Sequence, residues 1–287
     1  MRVLASLAAV SLLALAAPAL AHNHGASHAG SADSATATLA QVLASPIRDA
    51  DRARDVHRHP AETLAFFDVQ PGMTVVDFMP AGGWFTRVLV PYLGAQGTYV
   101  GLNPAIPDDA TGFMANMRNY AESLPSQAQG WVPAGGARVI GANVGSLPEA
   151  LAGTVDRVLI FREIHNIRRF GWFHDVAMAA RTLLKDDGLL GIEQHRASAD
   201  VPASYVLGDN GYQREQDVIA LFEAYGFELV ARSEINANPN DPADWATGVW
   251  TLPPGYRGTP ATDTARRAEL DAIGESDRMT LLFRKRP

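Results

Sequence analysis

Cysteine is absent from the 287 residues of this chain, and its absence excludes several classes of protein. Without a thiol the chain has no disulfide, no cysteine nucleophile, no thiolate-bound metal centre and no lipid-anchored cysteine. Positive charge is also scarce, because 24 lysines and arginines face 31 acids and leave a net charge of −7. We therefore expect neither nucleic acid nor an acidic membrane surface among its partners.

Two glycine patterns that bind phosphates are missing as well. The chain has no Gly-x-Gly-x-x-Gly sequence after a predicted strand, so hydride transfer from a bound dinucleotide loses support. It also has no Gly-Lys-Ser/Thr phosphate loop. The chemistry has to be sought in other residues.

The N-terminus has the pattern of a secretory signal peptide. Arg2 precedes an apolar run from Val3 to Ala17, Pro18 breaks the helix, and Ala19-Leu20-Ala21 offers small residues for cleavage. We predict a signal peptide over residues 1–21, and a periplasmic mature protein that is not stably inserted in the membrane. An uncleaved membrane anchor is the alternative.

Residues 22–38 form a segment rich in Ala, Ser, Gly and Thr, which predicts a flexible tail. After cleavage the tail would begin His22-Asn23-His24. The free amine of His22, two backbone amides and the imidazole of His24 can bind Cu(II) or Ni(II) in a square plane. The alternative is a polar tail that tolerates histidine.

From residue 39 to residue 287, strand patterns alternate with helix patterns, which predicts one α/β domain with a doubly wound, mostly parallel sheet. Residues 236–277 are rich in Pro, Asn, Asp and Gly and predict a structured insertion before the last strand. The predicted strands are Met73–Met79, Thr98–Leu102, Ala137–Ala142, Val155–Phe161, Leu189–Gln194, Phe227–Ile235 and Met279–Phe283. The predicted helices are Leu39–Leu43, Asp49–His59, Ala61–Phe67, Trp84–Leu93, Gly171–Leu184 and Gln213–Tyr225.

The loop after the first strand carries a resemblance to a known family. Val75-Val76-Asp77 followed by Pro80-Ala81-Gly82-Gly83-Trp84-Phe85-Thr86 resembles the first motif of class I S-adenosylmethionine-dependent methyltransferases, and of an exported branch in particular. Segments 51–64, 161–166 and 277–285 resemble the same branch. The resemblance implies a Rossmann-like seven-stranded sheet with an antiparallel last strand and an N-terminal helical cover.

The resemblance also implies S-adenosylmethionine as cofactor and a set of residues that bind it. The family places glycines where this chain has Met79, Ala81 and Gly83, and an acid where this chain has Asn103. A neutral amide binds hydroxyl groups more weakly than a carboxylate does. The implied cofactor-binding residues are Asp77, Pro80, Ala81, Gly82, Gly83, Trp84, Asn103, Asn143 and Arg162.

Two histidines follow the carboxyl ends of neighbouring strands, which predicts that they face one crevice. His165 and Asn166 come after the fourth strand and His195 after the fifth, where a histidine suits removal of a proton from the methyl acceptor. These three residues are the catalytic candidates. Two alternatives remain: the side chains only hold their loops, or Glu163 and Glu193 join the histidines in a metal site.

Two functions follow from the sequence. The first is transfer of a methyl group from S-adenosylmethionine to a small or medium organic acceptor. The second is an exported protein of the same fold that binds a ligand without transferring anything, since the cofactor is made in the cytoplasm.

Overall fold

The computed structural model describes residues 39–131 and 136–287. The predicted signal peptide, the tail and the metal ligands His22 and His24 lie outside the described residues. Within the two described ranges, every helix is too short or too polar to cross a membrane.

Strands and helices alternate through most of the chain, after a helical turn at residues 39–43. The strands are β1 Thr74–Phe78, β2 Thr98–Asn103, β3 Arg138–Asn143, β4 Val155–Phe161, β5 Leu184–His195, β6 Phe227–Ser233 and β7 Arg278–Lys285. The α-helices are α1 Asp55–Arg58, α2 Pro60–Phe66, α3 Thr86–Leu93, α4 Gly112–Gln129, α5 Ile164–Arg169, α6 Phe173–Leu183, α7 Glu215–Ala224 and α8 Thr264–Ile273.

The seven strands form one sheet in the order β3-β2-β1-β4-β5-β7-β6. Neighbours from β3 to β5 pair in parallel, and β7 runs antiparallel to both β5 and β6. The predicted Rossmann-like α/β fold with an antiparallel last strand is therefore confirmed. Strand order reverses between β1 and β4, and ligands of such sheets bind beyond the strand ends at this point.

Apolar side chains cover both faces of the sheet, which explains the nearly continuous apolar runs of the central strands. In β4, Val158 and Ile160 pack on one face with α6 and α7. Leu159 and Phe161 pack on the other face with the N-terminal segment and α3. The segment from residue 39 to α2 thus covers one face of the sheet.

The prediction of one helix over Asp49–His59 was wrong. The chain forms a 3₁₀ turn at Arg52–Arg54 and the short helix α1, and His59 then takes a left-handed φ of 39°. Pro60 accounts for the conformation of His59, because its ring disfavours right-handed helical backbone at the preceding residue. Pro60 itself begins α2, as predicted.

Residues 186–188 were predicted to form a turn that precedes the fifth strand. In the structure they belong to β5 and form a bulge within it. Leu184 pairs with Val155 and Leu189 with Arg157, so the residues between Leu184 and Leu189 bulge out of register. The strand consequently begins five residues earlier than Leu189, where the sequence placed it.

Candidate functional site

The loop after β1 keeps a left-handed backbone at three alternate positions. The φ angles are 54° at Met79, 46° at Ala81 and 73° at Gly83. Only glycine adopts this region without strain, so the turn is held by its surroundings at the first two positions. These are the three positions at which the resemblance implies glycine.

A cavity of about 270 Å³, called here the loop cavity, lies between this loop and α4. This volume is just below the range of about 300–1,000 Å³ that is usual for small-molecule sites. Among its lining residues are Met79, Ala81, Asn103, Asn116, Met117 and Tyr120.

Asn103 and Tyr120 are two of the polar residues that line the loop cavity. The Asn103 amide nitrogen donates to the Met117 carbonyl at 2.9 Å, which leaves its amide oxygen as an acceptor. The Tyr120 hydroxyl is buried and has no hydrogen-bond partner among the described residues. A buried polar atom without a partner is costly, so this hydroxyl is suited to a ligand.

A smaller recess of about 60 Å³ lies between the ends of β1 and β4, where strand order reverses. It is lined by Asp77, Met79, Pro80, Ala81, Trp84, Phe85, Phe161, Arg162 and Glu163. We call it the inner recess. It shares Met79, Ala81 and Glu163 with the loop cavity.

Two carboxyl groups of the inner recess have raised pKa values. Burial raises the pKa of Asp77 to about 7, although the Tyr99 hydroxyl donates to it at 2.9 Å and Arg162 lies nearby. Burial likewise raises the pKa of Glu163 to about 7, against the hydrogen bond that Asn166 donates at 2.7 Å. Both carboxylates would gain from a positively charged ligand.

His165 and His195 lie together, with ring centroids 5.8 Å apart. Both line a cavity of about 410 Å³, called here the histidine cavity, together with Asn166, Arg162 and Trp250. Burial, and to a smaller extent the positive charge of Arg169, lower the pKa of His165 to about 4. Burial, and to a smaller extent the positive charge of Arg278, lower the pKa of His195 far below its usual value. Both rings are therefore neutral at pH 7.

Hydrogen bonds hold each ring in place. Nδ1 of His165 lies 3.5 Å from the Gln194 amide nitrogen, and Nδ1 of His195 lies 2.6 Å from the Ser276 hydroxyl. Asn166 is held by Glu163. All three catalytic candidates thus line one cavity.

A third cavity, of about 210 Å³, lies between the N-terminal segment and the insertion. Arg54, Arg58, Arg162 and Arg278 line it, and we call it the arginine cavity. The insertion also lines it, with Val249, Trp250, Leu252 and Pro253 among its residues. The insertion therefore lines the site.

The cavities adjoin along the strand ends. Glu163 and Asn166 line both the loop and histidine cavities, while Arg162, His195 and Trp250 line both the histidine and arginine cavities. The result is one crevice with carboxyl groups at one end and guanidinium groups at the other.

Three residues predicted to bind the cofactor do not line these cavities. Gly82 is exposed, and a Cβ at Gly83 would lie 2.7 Å from the Trp131 ring, so Gly83 is required for the packing of Trp131. Asn143 directs its amide toward the Arg118 carbonyl at 3.4 Å, and its buried amide oxygen has no partner among the described residues.

The alternative of a metal site formed by Glu163, Glu193 and the two histidines finds no support in the described residues. Glu193 binds Arg162 and Arg278 instead, at 3.1 and 3.4 Å. Within residues 39–131 and 136–287, no group of three or more His, Asp or Glu side chains is arranged to hold a metal ion.

Sequence reasoning missed several residues of the crevice. Tyr120 lies on α4, a helix that was not predicted because its sequence is polar and contains Pro125. Glu275 and Ser276 come from the end of the insertion, where the charged run directly before β7 was the available signal. Trp250 lies in the 3₁₀ turn Gly248–Thr251 of the same insertion.

Neither a protein-family profile nor a curated protein matches this chain. The chain is similar to a SAM-dependent methyltransferase from Aquifex aeolicus, at 18% identity over 70% of this chain and 93% of that one, with a TM-score of 0.46. It is also similar to geranyl diphosphate C-methyltransferase from Streptomyces coelicolor, at 12% identity over 85% and 87%, with a TM-score of 0.47. A third is 1,6-didemethyltoxoflavin-N1-methyltransferase from Burkholderia thailandensis, at 14% identity over 95% and 94%, with a TM-score of 0.44. Values this low transfer neither an activity nor a residue's role.

Proposed function

We propose that this protein transfers the methyl group of S-adenosylmethionine to a small or medium organic acceptor. The observation that carries the proposal is the left-handed turn at Met79, Ala81 and Gly83, placed at the reversal of strand order and beside the loop cavity. Ligands of doubly wound sheets bind beyond the strand ends at such a reversal.

The residues around the loop fit this cofactor. Asp77 and Glu163 offer carboxyl groups to its positive charges, and a bound cation would favour their ionised forms. The free amide oxygen of Asn103 and the unpartnered Tyr120 hydroxyl suit the ribose and base. When bound, S-adenosylmethionine supplies an electrophilic methyl group on a sulfonium.

His165 and His195 would act on the acceptor. Both are neutral at pH 7, so each ring has one nitrogen that accepts a hydrogen bond. In His165 this is Nδ1, which faces the Gln194 amide donor, so its Nε2–H would donate to the methyl acceptor. In His195 the Ser276 hydroxyl can accept from Nδ1–H, which leaves Nε2 to accept from an acceptor hydroxyl or amine. Their lowered pKa values make them weak bases. A weak base suffices here, because the proton of the attacking atom becomes acidic as its bond to the methyl group forms. Asn166 and Gln194 position the site.

Binding of the cofactor is tested by thermal melting with S-adenosylmethionine and S-adenosylhomocysteine. A ligand that binds the folded chain stabilises it by about 2.7 kcal/mol at one hundred times its Kd. We expect Asn103→Ala to weaken binding about tenfold, because it removes the amide acceptor. Asn119→Ala, on the exposed side of α4, is the matched control and should bind as the wild type does. Absence of any shift at millimolar cofactor would contradict the proposal.

A ligand-binding protein without transferase activity is the second candidate. It is favoured by Asn103, whose amide is committed to α4 in place of a free carboxylate. Product analysis separates the two functions. Stabilisation by S-adenosylmethionine without formation of S-adenosylhomocysteine across a panel of acceptors would support binding alone.

Export is part of the proposal and rests on the sequence of residues 1–21. Mass spectrometry of the protein from a periplasmic fraction is expected to find His22 as its first residue. Recovery of the intact N-terminus from the cytoplasm would contradict it.

A further inference from the structure

The arginine cavity has more positive than negative charge. Glu275 binds Arg54 at 2.5 Å and Arg58 at 3.2 Å, and it also binds Arg278. Glu193 binds Arg162 and Arg278. Four guanidinium groups therefore face two carboxylates, in a chain whose net charge is −7.

Arg58 has hydrogen-bonding capacity left over. It is 5% exposed, and among the described residues its only side-chain hydrogen bond joins Nε to Glu275. Its guanidinium lies over the Trp84 ring, 4.8 Å from the centroid, and its two terminal nitrogens have no hydrogen-bond partner in the part of the chain that the structure describes. Among the described residues the Arg162 side chain donates only from Nη1, to Glu193. Burial and the neighbouring Arg162 lower the pKa of Arg58 to about 8, so its charge is poorly compensated.

The insertion adds apolar side chains to the lining of the arginine cavity, and the Arg257 guanidinium lies 4.3 Å from the centroid of one of them, the Trp250 ring. Trp250, Leu252 and Pro253 come from the insertion, and the Trp250 ring also contacts His165 with centroids 5.8 Å apart. A flat apolar group against these side chains would lie next to both histidines. The guanidinium groups favour an occupant with a negatively charged end, and the aromatic and aliphatic side chains favour one with an apolar body.

We infer that the methyl acceptor is an amphipathic organic anion, with an apolar body against Trp250 and a carboxylate or phosphate bound by Arg58 and Arg162. This inference rests on the proposed function. The crevice would then hold a cationic cofactor at its carboxyl end and an anionic acceptor at its guanidinium end, with the histidines between them. Planar oxyanions accept paired hydrogen bonds from guanidinium groups, which gives selectivity as well as affinity.

Titration calorimetry of the mature protein tests the inference with four probes. Benzoate and phenyl phosphate carry an apolar body and an oxyanion, benzyl alcohol lacks the charge, and inorganic phosphate lacks the body. We expect the two aromatic anions to bind at least about tenfold more tightly than either of the others. The tighter of the two identifies the anionic group that the site prefers. Equal binding of benzoate, phenyl phosphate and benzyl alcohol would overturn the inference.

Variants locate the binding. Arg58→Met is expected to weaken binding of the aromatic anions about tenfold or more, and Arg58→Lys to retain part of it because the charge remains. Arg232→Met removes an exposed arginine of β6 and is the matched control. Equal losses in Arg58→Met and Arg232→Met, with each variant folded by circular dichroism, would overturn the assignment.

The experiments distinguish failure of this inference from failure of the proposed function. Cofactor binding without anion binding removes the substrate class and leaves methyl transfer. Anion binding that depends on Arg58, without any binding of S-adenosylmethionine, keeps the anion site and removes its role as acceptor site.

Discussion

Ala81 has a backbone conformation that residues with a Cβ rarely adopt, with φ at 46°. The left-handed region costs a non-glycine residue about 1–2 kcal/mol. Substitution Ala81→Gly is therefore expected to raise the free energy of unfolding by about 1 kcal/mol, after allowance for the greater freedom of glycine in the unfolded chain. Urea denaturation measures the change.

Ala152 provides the matched control for that substitution. It is exposed and has an ordinary φ of −61°, so Ala152→Gly should only increase the entropy of the unfolded chain and destabilise the protein. Opposite signs at the two positions are expected. Destabilisation by both substitutions would show that the loop is not strained at Ala81.

At the scale of elements, Glu275 joins the N-terminal segment to the end of the insertion. Burial alone would raise its pKa, but Arg278, Arg58 and Arg54 together lower it. Substitution Glu275→Gln leaves buried guanidinium groups without their carboxylate and is expected to cost about 3–5 kcal/mol. Glu269→Gln, which removes an exposed partner of Arg266, should change stability by less than about 0.5 kcal/mol.

The lowered pKa of Glu275 determines the pH range over which its ion pairs stabilise the fold. A carboxylate with a lowered pKa stabilises the fold above its unfolded value of 4.5, and this stabilisation is lost as pH falls through the folded value. The difference between wild type and Glu275→Gln should therefore persist from neutral pH to about 4.5. A difference that disappears at pH 6 would contradict the ion-pair interpretation.

The helices and strands that could be predicted from the sequence are those with a regular pattern of apolar residues. Buried strands such as β4 were placed correctly, because both of their faces pack against helices. The polar helix α4 was missed, and so was α8, whose start depends on the Asp263 side chain capping Arg266. Strand-end neighbours such as His165 and His195 could be predicted to meet, since parallel topology brings strand ends together. Contacts made by the insertion, including those of Trp250 and Glu275, had no signal of comparable regularity.

At the scale of the whole molecule, buried acids and buried histidines oppose each other in the dependence of stability on pH. Asp77 retains a proton to about pH 7 in the folded state, so its contribution to stability falls as pH rises from about 4 to 7. His165 stays neutral down to about pH 4, so its contribution rises as pH rises from about 4 to 6.5. Glu163 acts in the same direction as Asp77, and His195 in the same direction as His165.

Single substitutions should tilt the stability profile in opposite directions. Between pH 4.5 and 6.5, Asp77→Asn is expected to make the free energy of unfolding rise more steeply with pH, and His165→Gln to make it fall relative to the wild type. Urea midpoints at several pH values measure both slopes. His174→Gln changes an exposed histidine on α6 and should leave the slope unchanged. A tilt in the same direction for Asp77→Asn and His165→Gln would contradict these assignments.

The ion pairs between Arg54, Arg58 and Glu275 also bear on how the protein is made. The partners lie 221 and 217 positions apart in the chain. Contacts between residues so distant in sequence form late, since a large loop must close before they are gained. During synthesis the arginine cavity cannot be completed until residue 275 has left the ribosome. The ion pairs of Glu275 are therefore among the last contacts that a newly made chain can form.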